Sequence, residues 1–156
     1  MSSGHLTSTS VLLKVCQIVV GITCFGLFIS SFYKLSKNLE PDSNPDFTFV
    51  TGWILFSDIT VVMFLIHSII SIISIVGLGL VIDDVVYNVI AVIFYEIASI
   101  GLLVHANSTA YKSYYEKTSV HGTLIAAGII GILNGLLYAA SVLFRKPATT
   151  GYKLIN

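Results

Sequence analysis

Along the chain, long apolar runs alternate with short polar segments. Residues 11–32, 50–80, 85–105 and 122–144 are almost continuously hydrophobic. Each run reaches the ~20 residues that an α-helix needs to cross a hydrocarbon layer ~30 Å thick. The pattern predicts an all-α chain, a four-span transmembrane helical bundle with short loops. The second run is the longest and exceeds the thickness of that layer. It is expected to tilt, or to keep its first turns around Gly52-Trp53 in the interface, where tryptophan is favoured. Its end, Gly77-Leu78-Gly79-Leu80, leads directly into Val81-Ile82-Asp83-Asp84. The second and third spans therefore read as a tight antiparallel hairpin, with two carboxylates at the positive end of the third helix's dipole.

Composition narrows the class further. Hydrophobic residues make up 55% of the 156 and charged residues only 10%, with a mean hydropathy of +0.90. So few charges could not cover a soluble domain of this size. Residues 1–10 and 147–156 flank a membrane domain at 11–146. No segment outside the runs can hold a soluble catalytic domain, which needs on the order of 50–250 residues. The first run is longer than the apolar stretch of a cleaved leader, and no A-x-A-like site follows it.

Four spans put both ends on one side. That side carries Lys14, Arg145, Lys146 and Lys153, and the other Lys34, Lys37, Lys112 and Lys117. The count ties, so the positive-inside rule does not decide alone. The adjacent pair Arg145-Lys146, directly after the last span, favours cytoplasmic termini.

The fourth span carries a packing signal. Ala127, Gly131, Gly135 and Ala139 recur every four residues, with Gly128 beside them. Such a ridge of small residues lets another helix's backbone approach closely, which is what holds helices together in lipid. The partner is either another helix of the bundle or a second copy of the chain.

Polar groups inside the spans fall in two rough layers. Asp58 and Glu96 lie ~12–14 Å from the outer end, and Gln17, His67, Asn88 and Asn134 deeper, at ~21–26 Å. Intramembrane ionisable groups usually face the bundle interior. No Lys or Arg lies level with Asp58 and Glu96, so at least one carboxyl is expected to stay protonated and donate a hydrogen bond. One reading is a proton or cation pathway from Asp58 and Glu96 toward His67. The other, which we prefer, is a set of interhelical hydrogen bonds fixing register, each worth ~0.6–2 kcal/mol. A four-span monomer leaves little room for a pore, and no pair of broken spans suggests a transporter site.

Catalytic signatures are absent: there is no H-E-x-x-H, G-x-S-x-G or phosphate loop. We therefore expect no enzyme, no cofactor and no nucleic-acid partner. His5, His105 and His121 sit at ends or interfaces and read as solvated or capping groups, so no metal site is expected. Cys16 and Cys24 are two helical turns apart, too far for a disulfide within one helix, and neither longer loop contains a cysteine. That argues against tetraspanins, claudins and connexins. Cys16 reads as a small buried residue in preference to a palmitoylation site. Asn107-Ser108-Thr109 is a glycosylation sequon, but Asn107 is too near the membrane for modification to be expected. In the tail, Tyr152-Lys153-Leu154-Ile155 fits Y-x-x-Φ, a sorting signal in which Tyr152 and Ile155 fill two pockets of a clathrin adaptor.

Several stretches resemble the MARVEL-domain family, and within it the myelin-and-lymphocyte protein/plasmolipin group. Leu12-Leu13-Lys14-Val15-Cys16-Gln17 with Gly21 and Gly26 is similar to the family's opening helix. Thr51-Gly52-Trp53-Ile54-Leu55-Phe56 is similar to the Gly-Trp start of its second. Asp84-Val85-Val86-Tyr87, Ala91, Phe94-Tyr95 and Ala98-Ser99 resemble its third. Tyr114-Tyr115-Glu116, Leu136-Leu137-Tyr138 and Arg145-Lys146 resemble the last loop and span. The similarity covers about residues 11–146, and Glu96 departs from it, since an uncharged residue is expected beside the Phe-Tyr pair. The resemblance implies a non-enzymatic tetraspanning protein with cytoplasmic termini, found at the plasma membrane and in trafficking vesicles. It would associate with cholesterol- and sphingolipid-rich membrane and organise lipid domains, vesicle traffic or membrane apposition. A structural subunit of a cell junction, as in epithelium or myelin-like membrane, is the sibling reading.

Overall fold

The computed structural model describes residues 3–38, 46–78, 85–108 and 119–144. They form four helices: α1 Ser3–Asn38, α2 Asp46–Leu78, α3 Val85–Ala106 and α4 His121–Leu143. Their apolar spans are Val11–Lys34, Gly52–Ser74, Val85–Ala106 and His121–Leu143. The runs at 85–105 and 122–144 match α3 and α4 to within a residue. α1 extends beyond its run at both ends and α2 begins before its own, because a helix satisfies its own backbone and does not stop where hydropathy falls. α2 begins at Asp46, next in sequence after Pro45; a proline near a helix start forfeits no hydrogen bond. α3 is stopped by Asn107, whose backbone N–H and side-chain Nδ2 both donate to the Leu103 carbonyl, at 3.2 and 2.8 Å. The left-handed backbone of Ser119, at φ 55°, turns the chain into α4.

α1 packs on α2 and α4, and α3 on α4 and α2, with the α3–α4 pair the most closely packed. Chain neighbours are therefore spatial neighbours, in an up-down-up-down bundle with α1 opposite α3. Each helix buries one narrow seam whose steps alternate between three and four residues. On α1 it is Lys14, Gln17, Gly21, Cys24, Phe28 and Ser31; on α2, Ile54, Ser57, Val61, Phe64, Ser68 and Ser71. On α3 it is Asn88, Ala91, Tyr95, Ala98, Leu102 and His105; on α4, Leu124, Ala127, Gly131, Asn134 and Tyr138. A period of 3.5 keeps a seam facing its partners when helices wrap left-handedly. The opposite faces carry large apolar residues such as Ile22, Ile66, Ile97 and Leu133, each more than half exposed. The polarity is that of a membrane protein: the interior is smaller and more polar than the surface.

Because α1 and α3 run antiparallel to α2 and α4, the seams align as layers. At the end nearer the termini, Lys14 lies level with Asn88. Next come Gln17, Ser68 and Tyr138, then Gly21, Phe64, Tyr95 and Asn134. Beyond these lie Cys24 and Gly131, and toward the outer end Phe28, Leu102 and Leu124. Two contacts anchor the register: Lys14 Nζ donates to Asn88 Oδ1 at 3.0 Å, and the rings of Phe64 and Tyr95 lie 5.7 Å apart. Toward the termini the core is thus hydrogen-bonded between helices, while toward the far end the buried Ser31, Ser57 and Thr60 donate to carbonyls one turn back in their own helices.

One expectation changes, and one of two open alternatives is met. Lys14 is not a charge outside the spans: it is 3% exposed and lies inside the first one, its ammonium held by Asn88 and placed 5.7 Å from the centre of the Tyr138 ring. Burial of a lysine at this depth is tolerable because oxygen and π-face partners replace water. The small-residue ridge on α4 packs within the bundle. A Cβ on Gly131 would collide with the Ser99 hydroxyl and reach Cys24 Sγ at 3.8 Å, and one on Gly128 would stand 3.2 Å from the Ser99 backbone carbonyl.

Candidate functional site

The feature of the fold with most chemistry is the polar terminal half of the core. Gln17 joins three helices. Its Nε2 donates to Ser141 Oγ at 2.7 Å and to the Leu137 carbonyl at 3.2 Å on α4, while its Oε1 accepts from Ser68 Oγ on α2 at 3.3 Å. Tyr138 on α4 donates its hydroxyl proton to the Phe64 carbonyl of α2 at 2.9 Å and lies 2.8 Å from Ser68 Oγ. With the tyrosine proton so used, Ser68 has one hydroxyl proton to share between Tyr138 Oη and Gln17 Oε1. Each link is worth ~0.6–2 kcal/mol in a membrane. Together they fix α4 against α1 and α2 in one register.

Aromatic rings fill the space beside this network. Phe64 makes edge-on or tilted contacts with Tyr87, Tyr95 and Tyr138 at 5.1, 5.7 and 5.9 Å. Tyr95 stacks on Tyr138 at 5.5 Å. His67 stacks on Tyr87 with ring centres 3.5 Å apart, and its Nε2 lies 3.4 Å from Ser71 Oγ. Toward the outer end, Trp53 covers Gly101, where a Cβ would stand 2.6 Å from the indole ring. Lys34 donates to Thr123 Oγ1 at 3.2 Å and ties α1 to α4 there.

The intramembrane polar residues expected to act together are dispersed. Gln17 and Asn88 belong to the terminal network. His67 lies at the α2–α3 contact, and Asn134 is fully buried at mid-bundle. Asp58 Oδ1 is buried without a hydrogen-bond partner. The Glu96 carboxylate lies against α4, 2.6 Å from where a Gly135 Cβ would be. No hydrogen bond links Asp58, Glu96 and His67 to one another among the described residues. The strut role expected of the two carboxylates falls to Gln17, Ser68, Tyr138 and Lys14. Sequence reasoning passed over Ser68, whose only signal was its place on the 3.5-residue seam, and met Tyr138 only within the Leu136-Leu137-Tyr138 resemblance.

Of the ridge, Ala127, Gly131 and Gly135 are buried and Ala139 is half-buried. Cys24 donates its thiol to the Ala127 carbonyl at 3.7 Å, and Cys16 is half-buried. Asn107 is exposed and occupied with capping α3. Among the described residues no group of three or more His, Cys, Asp or Glu is placed to hold a metal ion. Tyr152, Ile155, Arg145, Lys146, Asp83 and Asp84 lie outside the described residues.

A family model described as MARVEL, membrane-associating domain, matches residues 5–144. The chain belongs to the MARVEL family. The matched MARVEL segment takes in the polar network, the aromatic cluster and the α3–α4 glycine contact, so all of these are features of one domain. No curated protein and no solved structure matches the chain.

Proposed function

We propose that this MARVEL protein is a non-enzymatic organiser of lipid-rich membrane, working through its lipid-facing surface in vesicle traffic or membrane apposition. The observation that carries the reading is the division of the bundle. Around Gln17 and Tyr138 polar groups are turned inward and bonded to one another, while Val19, Ile66, Ile97 and Leu133 present branched apolar side chains to the bilayer. A core built this way supports a rigid body whose contacts with its surroundings are made with lipid. Likeness to the myelin-and-lymphocyte protein/plasmolipin group, a plasma-membrane and vesicle location, and cytoplasmic termini belong to the same proposal.

Partition of the labelled protein in phase-separated giant vesicles tests it directly. Enrichment in the cholesterol- and sphingolipid-rich phase is expected. Exclusion from that phase in vesicles, together with a diffuse distribution in cells, would overturn the reading.

A further inference from the structure

The layer formed by Gly21, Phe64, Tyr95 and Asn134 differs from its neighbours in what its polar atoms lack. Tyr95 is 1% exposed and Asn134 0%. Tyr95 Oη, Asn134 Nδ2 and Asn134 Oδ1 are all buried with no hydrogen bond of good geometry, the Asn134 side chain lying beside the Tyr95 hydroxyl, although the next layer toward the termini is joined through Gln17, Ser68 and Tyr138. Tyr95 Oη and one end of the Asn134 amide converge on one place. The point where a Gly21 Cβ would stand is 3.6 Å from Asn134 Nδ2 and 3.9 Å from Tyr95 Oη, and Leu65 Cδ1 closes it from α2 at 3.0 Å. All four helices meet there.

In hydrocarbon, an unpaired polar atom has no solvent to turn to. The chemistry of the site defines what would pair with it. The occupant is small, because Leu65 stands in contact with the glycine. It is uncharged, because an amide and a phenol offer it no countercharge. It both donates and accepts, because Asn134 presents an NH2 and a carbonyl oxygen and Tyr95 a hydroxyl that serves either way. Water meets all three conditions, with the two to four polar partners that an internal water needs.

We infer that the bundle binds an internal water molecule between Gly21, Tyr95 and Asn134. The water donates to the Asn134 carbonyl oxygen and accepts from the Tyr95 hydroxyl or the Asn134 amide, and the scheme holds for either orientation of that amide. It completes the contact between Tyr95 on α3 and Asn134 on α4, and Gly21 is the residue that admits it.

Water-edited solid-state NMR of the full chain in lipid bilayers tests the assignment on the wild type. Magnetisation is expected to pass from water to the Asn134 side-chain amide, and to be lost in Gly21→Ala, whose methyl takes the water's place. Gly21→Ser carries the same Cβ but adds a hydroxyl that can replace the water, so it is expected to melt above Gly21→Ala. Absence of transfer to Asn134 in the wild type, or equal melting temperatures of the Ala and Ser variants, would overturn the inference.

Discussion

Lys14 Nζ donates to Asn88 Oδ1 across the diagonal of the bundle, joining two helices that are not packing neighbours. The bond spans the end of the core nearest the termini, and the ammonium is almost entirely covered. Replacing either partner removes a buried, charge-assisted hydrogen bond from the other, so Lys14→Met and Asn88→Ala are each expected to lower stability by ~1–3 kcal/mol. Combined, they should cost less than the sum, with a coupling of about 1 kcal/mol. Reversible unfolding in mixed micelles measures both. Strict additivity would show that the bond contributes nothing to stability.

The α3–α4 contact depends on the absence of side chains at two positions. Gly131→Leu and Gly135→Leu would drive α4 away from Ser99 and from Glu96 and Tyr95, at an expected cost of ~1–3 kcal/mol. Ile129 and Leu133 are about half exposed toward lipid, so Ile129→Leu and Leu133→Ile should leave melting temperature unchanged. A loss of the same size in all four variants would place the helix contact elsewhere.

Trp53 is the protein's one tryptophan, and it lies over Gly101 on the neighbouring helix. Its fluorescence therefore reports the outer end of the α2–α3 contact without labelling. Gly101→Val should displace the indole and shift its emission, while Gly122→Val, at a glycine with nothing within 4 Å of its added Cβ, should not. Identical spectra for the two variants would be inconsistent with the observed packing.

The spans were legible in the sequence because hydropathy alone marks them; which face of each span turns inward was not. In a soluble helix the buried side announces itself as the apolar one, but here Ile22, Ile66 and Ile97 face lipid while Gln17, Ser68 and Asn134 face the core. Lys14 misleads for the same reason, since a charge near a span's end usually marks the water boundary. The α4 ridge could be read because small residues at a fixed spacing are a packing signal in lipid whatever the polarity. Tyr95 and Tyr138 could not be separated in advance from Tyr33, which is 64% exposed, because membrane helices place aromatic rings on both kinds of surface.

Conduction and scaffolding make different demands on Asp58 and Glu96. No hydrogen-bonded chain connects them to His67 among the described residues, so purified protein in liposomes is expected to carry no proton or cation flux. Asp58→Asn should fold as well as the wild type, since Asp58 Oδ1 makes no hydrogen bond that the change would break. A pH-dependent flux abolished by Glu96→Gln, in a variant that inserts normally, would establish a conductor.

The tail is tested in cells. Tyr152→Ala is expected to slow internalisation and raise the surface fraction, as measured by antibody uptake, with epitope tags at either end accessible only after permeabilisation. Unchanged uptake would reduce the Tyr152–Ile155 pattern to coincidence.

The four spans, at 22 to 24 residues, have a further consequence through their length. At 1.5 Å per residue each covers ~33–36 Å untilted. The bilayer of the endoplasmic reticulum is ~27 Å thick in its hydrocarbon region, and the sterol-rich plasma membrane ~32–33 Å. In the thinner membrane this bundle must tilt, or stretch the lipid around it; in the thicker one it stands relaxed. A rigid bundle cannot tilt one helix alone, so the mismatch falls on the surrounding lipid as a ring of extended chains. Such rings draw together wherever they overlap, which gives this protein a reason to cluster in thin membranes and to disperse in thick ones before any sorting signal is read.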